Sequence, residues 1–158
     1  MIDATAEWAP ALGRLASGIF IVTVRNGAAK TGMLASWVQQ CSFDPPQISM
    51  AIQKSRPVYE WLTEETPFVV NIVGEGQSQF LRHFGKGFDL NEDAFQGIAI
   101  DDQASGPILL DALAYLECRV LQRIAAGDHD LVIARVVAGK VQQEGKPFIH
   151  VRKNGLNY

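Results

Sequence analysis

The stretch Thr31-Gly32-Met33-Leu34-Ala35-Ser36-Trp37-Val38-Gln39-Gln40-Cys41-Ser42-Phe43-Asp44-Pro45-Pro46 is apolar enough to be a buried strand, yet Gly32, Ala35 and Ser36 are small. A strand that gives up side-chain volume loses packing, and the usual physical reason is close approach of another body to its backbone. That body is either a flat ligand or a neighbouring helix, and composition alone favours the helix. Asp44-Pro45-Pro46 ends the strand, and Gln47–Ile52 starts another with Ile48, Met50 and Ile52 on one face. Lys54-Ser55-Arg56-Pro57 follows at once. Pro57 suits the first turn of a short helix capped by Ser55, and free N–H groups beside two basic side chains suit a phosphate. The same four residues also read as an ordinary cap with two solvated cations.

Working outward, Gly18–Val24 is rich in β-branched and aromatic residues and reads as a strand. Arg25-Asn26-Gly27 supplies a hairpin turn into Lys30–Phe43, whose length predicts a bend near Gly32 or after Trp37. Residues 1–11 read as a loose lead-in and Leu12–Ser17 as a helical turn. Phe68–Val73, Ala114–Arg123, Leu131–Val137 and Phe148–Val151 are further strands, and Gly76–Phe84 is a helix with Phe80, Leu81 and Phe84 on one face. Gly85–Phe95 is glycine-rich and polar, a mobile loop by composition. Strands joined largely by tight turns, with two short helices inserted, predict a mainly β protein built as one antiparallel barrel domain over residues 1–158.

Bulk properties narrow the function classes. A chain of 158 residues, 47% hydrophobic and 20% charged, can enclose a core without metal or disulfide help. A net charge of −3 gives no basic field for nucleic acid, and no apolar run reaches the roughly 20 residues of a membrane helix. No secretion signal is visible at the start of the sequence, so a cytoplasmic setting is expected, with Cys41 and Cys118 both reduced and buried. His83, His129 and His150 are scattered, without metal-ligand spacing. Asn71, a polar amide inside an apolar strand, needs partners, and bridging the neighbouring strand's backbone is the simplest supply.

Five segments carry a family resemblance: Gly18-Ile19-Phe20-Ile21-Val22-Thr23, the Met33–Pro46 block, Phe68-Val69-Val70-Asn71-Ile72, Gly127-Asp128-His129, and Arg152-Lys153-Asn154-Gly155-Leu156-Asn157-Tyr158. In order and spacing they resemble the flavin reductase-like family, the FMN-binding split barrels, from about Leu12 to Tyr158. They resemble in particular the C-terminal flavin reductase module of cyanobacterial diflavin flavoproteins (flavodiiron proteins). The resemblance implies NAD(P)H:flavin oxidoreduction with FMN, or FAD, as cofactor and NADPH or NADH as donor. It implies that Met33, Leu34, Ala35 and Ser36 pass along the isoalloxazine edge. Gln40, Cys41 and Ser42 would touch flavin or ribityl, and Lys54, Ser55 and Arg56 would lie by its phosphate. His129 would be the catalytic residue at the face where nicotinamide docks. The Gly85–Asn91 loop would lie near the flavin, with Phe88 stacking or acting as a lid.

Family members are typically homodimers, so the groove is expected to be shared between subunits. Electrons would pass to a monooxygenase through free reduced flavin, or to flavodoxin-like and di-iron modules of a larger, oxygen-reducing protein. Where the family often continues from the histidine strand to a glycine before an acidic residue, Ala134-Arg135 stand here, a departure at the outer edge of the nicotinamide pocket. The alternative is a flavin-binding electron carrier of the flavoredoxin kind, without nicotinamide-dependent activity.

Overall fold

The computed structural model describes residue 3 and residues 5–158. A short helix, α1 (Trp8–Gly13), forms one turn earlier than the turn expected over Leu12–Ser17. Strands β1 (Ser17–Gly18), β2 (Phe20–Asn26), β3 (Ala29–Ala35), β4 (Val38–Phe43) and β5 (Pro46–Gln53) lead to a single 3-10 turn at Pro57–Trp61. Then come β6 (Pro67–Ile72), α2 (Ser78–Gly85), β7 (Ile100–Gln103), β8 (Gly106–Leu109), β9 (Ala114–Ala126), β10 (His129–Val141) and β11 (Ile149–His150). No helix among the described residues is long and apolar enough to cross a membrane.

Seven strands form one sheet in the order β3-β2-β6-β9-β10-β5-β4, every neighbouring pair antiparallel. The two edge strands, β3 and β4, are consecutive in the chain and separated only by Ser36 and Trp37. The chain therefore passes from one edge of the sheet directly to the other, and the sheet curls round a single interior. Val22 and Val24 of β2, Met33 of β3, Met50 and Ile52 of β5, Phe68 and Val70 of β6 and Val132 of β10 meet in that interior. The fold is a split antiparallel barrel. The bend lies just before Trp37, near one of the two places expected, and Asn26 pairs with Ala29 so that the first hairpin turns over residues 27–28.

β2 is apolar on both faces because both are covered. Ile21 points away from the interior and packs with Phe80 and Phe84 of α2, Val73 and Leu109. That double burial is why Gly18–Val24 lacks the polar alternation of a half-exposed strand. β8 lies across β2 and β6, and polar side chains tie it there. Thr23 donates to the Pro107 carbonyl, Asn71 donates to the Ile21 carbonyl at 3.0 Å, and Asn71 Oδ1 accepts from Leu109 N–H at 2.8 Å. Asn71 thus takes the bridging role expected of it.

Gly32 is explained by α2. A Cβ on Gly32 would stand 3.0 Å from Cε1 of Phe84, so the helix is the body that requires a small residue there. Cys118 is buried, but Cys41 is exposed, contrary to the expectation for both thiols. Cys41 is the extra residue of a bulge between Gln40 and Ser42 on edge strand β4, where no outer neighbour covers it.

Candidate functional site

Where β3 gives way to β4 a cleft of about 200 Å³ opens, and its walls include Met33, Leu34, Ala35, Ser36, Gln53 and Arg56. α2 contributes Leu81 and Gly85 to the same cleft. The small residues keep the β3 end low, so the cleft floor is close to backbone. Ser36 is 7% exposed and its hydroxyl has no hydrogen-bond partner within the described chain. Buried hydroxyls are nearly always satisfied, so an orphan at a cleft wall marks a place where a polar ligand atom fits. Four expected ring-contact residues, Met33 through Ser36, are thus brought together.

Arg56 lines this cleft and also a polar recess of about 480 Å³ with Ser55, Lys86, Gly87 and Phe88, whose lining includes the carboxylates of Asp89 and Glu92 as well. Among the described residues neither Arg56 nor Lys86 forms an ion pair. Arg56 and Lys86 offer an anion positive charge there, set against the carboxylates of Asp89 and Glu92. The local geometry differs from the sequence expectation, however. Ser55 is not the cap: the 3-10 turn begins after an extended Arg56, with no side-chain cap bond. Lys54 points elsewhere, donating to the Gly127 carbonyl at 2.9 Å and lying 3.6 Å from Asp130.

A polar cluster holds the Arg56 turn in place. Tyr59 donates to Asp130 Oδ2 at 2.6 Å, and the Arg123 guanidinium lies 4.0 Å over the Tyr59 ring while donating to the Tyr59 carbonyl. The Tyr59 hydroxyl holds the Asp130 carboxyl below the ordinary carboxylate range, helped by Lys54 and Arg123 and opposed by burial. The same bond pushes the Tyr59 phenol up.

His129, 8% exposed, opens β10 in a third chamber of about 350 Å³ beside Trp37, Asp128, Arg152 and the last residues of the sequence. Its Nδ1 lies 2.7 Å from Asp128 Oδ1 and its Nε2 lies 3.1 Å from the Tyr158 hydroxyl. The histidine contact holds the Asp128 carboxyl low, which makes it an acceptor for an Nδ1–H. Burial pushes the Tyr158 phenol up, against the pull of Arg56 and Arg152, so it remains a donor to Nε2. Both ring nitrogens of His129 are therefore engaged, and Tyr158, not the imidazole, presents the free edge.

Gln40, Cys41 and Ser42 do not join the cleft; they lie along the outer edge on β4, where Gln40 and Cys41 are exposed. Three site residues escaped the sequence reading. Gln53 lines all three spaces, and its signal was a polar residue closing an apolar strand. Lys86 lay unnamed in the Gly85–Asn91 loop, which the resemblance put near the flavin with Phe88 as its one named residue. Tyr158 was noted only as part of a terminal motif.

The family model for flavin reductase like domains matches residues 12–155. The chain belongs to this family. It is 42% identical over 151 residues to diflavin flavoprotein A 1 of Synechocystis, an alignment covering 94% of this chain and 26% of that protein. The chain thus spans about a quarter of the length of the curated relatives it matches. Among solved structures it is similar to the styrene monooxygenase flavin reductase of Pseudomonas putida S12, with a TM-score of 0.78 and 28% identity over 92% of this chain and 93% of that one. An NADH:FAD oxidoreductase of Streptomyces globisporus shares the fold, with a TM-score of 0.83 at 24% identity over 90% of this chain and 85% of that one. This flavin reductase-like domain is an oxidoreductase of the flavoprotein class, and its cleft lies where the two edges of the split barrel meet.

Proposed function

We propose that this domain is an NAD(P)H:flavin oxidoreductase that holds FMN in the cleft at Ser36. One observation carries the reading: a buried, unpartnered Ser36 hydroxyl in a cleft that is also lined by an unpaired Arg56. Met33, Leu34 and Ala35 supply the apolar wall for a tricyclic ring, and Ser36 offers a hydrogen bond to a ring heteroatom or carbonyl. Arg56, with Ser55 and Lys86 behind it, holds the phosphate. When bound, the flavin supplies the hydride-accepting N5, and the protein's work is orientation, exclusion of water and electrostatics.

His129 and Asp128 act from the neighbouring chamber. The carboxylate fixes the imidazole tautomer, and the imidazole positions the Tyr158 hydroxyl at the cleft mouth, on the side where the nicotinamide docks. A homodimer would bring a second copy against edge strand β4, placing Gln40, Cys41 and Ser42 beside the partner's flavin; Phe43 on that edge is 90% exposed. Similarity to a diflavin flavoprotein supports a place as the reductase module of a larger protein that passes electrons to flavodoxin-like and di-iron modules and so to oxygen. Similarity to a stand-alone reductase supports delivery of reduced flavin to a monooxygenase. Unpaired Cys41 and Cys118 suit a reducing cytoplasm.

The test is to purify the protein, record its visible spectrum, identify released cofactor and mix anaerobically with NADH and with NADPH. Bleaching of the flavin band is expected, and at saturating donor His129→Ala should slow it. A protein that remains colourless after soaking in FMN or FAD refutes the reading. Flavin that stays oxidised with both donors leaves an electron carrier in its place.

A further inference from the structure

The cleft at Ser36 and the chamber at His129 adjoin. Gln53 and Tyr158 line both spaces. Gln53 belongs to β5 and is fixed by the sheet. Tyr158 sits on an irregular segment, is 64% exposed, and packs its ring 5.5 Å from Trp37.

The segment is clamped at Arg152 and Gly155 and more lightly held beyond them. Arg152 N–H donates to the Gly13 carbonyl at 3.1 Å, and Gly155 N–H donates to the Ala9 carbonyl at 2.7 Å. Backbones meet so closely here that a Cβ on Gly155 would fall 2.1 Å from the Leu12 Cβ. Beyond Gly155, among the described residues, no backbone hydrogen bond ties Leu156–Tyr158 to a strand. What retains them is the Tyr158–His129 bond at 3.1 Å, the packing of the Tyr158 ring on Trp37, a Leu156 N–H bond to Asn154 Oδ1 at 2.9 Å and a long Arg152 contact to the Asn157 carbonyl at 3.4 Å.

Volume gives the second argument. Ligand sites for cofactor-sized molecules usually run from about 300 to 1,000 Å³. The cleft, at about 200 Å³, falls below that range, and the His129 chamber, at about 350 Å³, sits at its low end. Joined, they fall well inside it. Hydride transfer needs reacting atoms about 3–3.5 Å apart, closer than two rings held one in each space on either side of the Tyr158 phenol would come.

We infer that Leu156–Tyr158 is a gate, hinged at Gly155 and latched by His129, that the planar nicotinamide ring of the donor must displace to reach Trp37 and the cleft. The inference rests on the flavin reading of the cleft. It assigns Tyr158 the closed position and makes His129 the latch as well as the lining of the donor chamber. A donor that binds only the open form pays for the closed population in apparent affinity. Removing the ring removes that penalty.

The experiment titrates FMN-loaded wild type, Tyr158→Ser and Tyr158→Phe anaerobically with whichever of NADH and NADPH bleaches the wild type, following the rate of bleaching. The half-saturating donor concentration should fall about five-fold or more in Tyr158→Ser. Tyr158→Phe, which keeps the ring and loses the latch, should lie between. A half-saturating concentration equal to or above the wild-type value in Tyr158→Ser, with wild type bleaching normally, overturns the gate alone. A wild type that takes up no flavin, or is bleached by neither donor, overturns the functional reading and the gate with it.

Discussion

Ser36→Ala should stabilise the flavin-free chain and weaken its hold on flavin, two effects of opposite sign from one oxygen atom. In the free chain the hydroxyl is buried and unpartnered, a state that costs about 1–3 kcal/mol relative to an apolar replacement of the same shape. Alanine keeps the backbone and nearly all the volume, so the lower figure is the safer one to use. For a chain of this size about 1 kcal/mol moves the melting midpoint by roughly 2–4 °C, and the flavin-free variant should melt higher by that amount. With flavin bound the balance reverses. The lost hydrogen bond costs the bound form about 0.5–1.5 kcal/mol; added to the roughly 1 kcal/mol gained by the empty form, it raises the FMN dissociation constant roughly twelve- to seventy-fold. Calorimetric melts with and without FMN, paired with a flavin fluorescence titration, read both numbers. A variant that melts lower when empty and binds FMN as tightly as wild type would show that the Ser36 oxygen serves the fold instead, and the reasoning for the cleft would fail.

Three further outcomes follow from the same geometry. Arg56→Ala should weaken FMN about ten-fold or more, the value of a charge-assisted phosphate contact, while riboflavin, which lacks the phosphate, should be little affected; an equal loss for both removes Arg56 from the phosphate. Gly32→Ala should destabilise the fold by about 1–3 kcal/mol in urea unfolding, since its Cβ would stand 3.0 Å from the Phe84 ring, and pairing it with Phe84→Leu should recover part of the loss. The depressed Asp130 carboxyl contributes stability that is complete above its ordinary value of about 3.8 and is lost as pH falls through the lower folded value. Urea midpoints of wild type and Asp130→Asn should accordingly converge below about pH 4, and parallel curves would remove Asp130 from the acid limb.

Much of the barrel could be read from sequence because Gln47–Ile52 and Ala114–Arg123 carry a strand's period and Asn26-Gly27 and Gly127-Asp128 mark hairpin turns, while the four-residue strands β7 and β8 carry no such signal. The site was legible only in part, and the reason is distance along the chain. Ala35 and Ser36 announce a close approach, but nothing nearby says that Gly32 is small for Phe84, a residue of a later helix. Gly127-Asp128-His129 can be recognised as a motif, while its hydrogen-bond partner Tyr158 arrives 29 residues on. Ser55 looks like a cap by local rule. It is bypassed because Arg56 N–H closes a turn onto the Gln53 carbonyl at 3.0 Å, which leaves Arg56 extended at the start of the 3-10 turn. Gln40, Cys41 and Ser42 share one apolar-flanked run with Ser36, and only the register shows that the chain has crossed to the opposite edge of the sheet before reaching them.

That crossing also accounts for the position of the cleft. An edge strand presents unpaired N–H and C=O groups and is normally blunted by charge, proline or cover. β3 is an edge strand whose Thr31, Gly32, Met33 and Ala35 are nonetheless buried. Cover is the device used here: α2 packs along it, with Phe84 against Gly32 and Leu81 and Gly85 further along. The helix ends at Gly85, and at Ser36 the strand leaves the sheet, so the cover and the strand run out at nearly the same place. What remains between them is a short length of uncovered edge with small side chains and an unpaired hydroxyl. A flat ring presenting carbonyl and ring-nitrogen groups along its own edge is a chemical match for that opening. The split in the barrel and the binding cleft are then one feature, and closing the split with larger residues at Ala35 and Ser36 should abolish flavin uptake without preventing the barrel from forming.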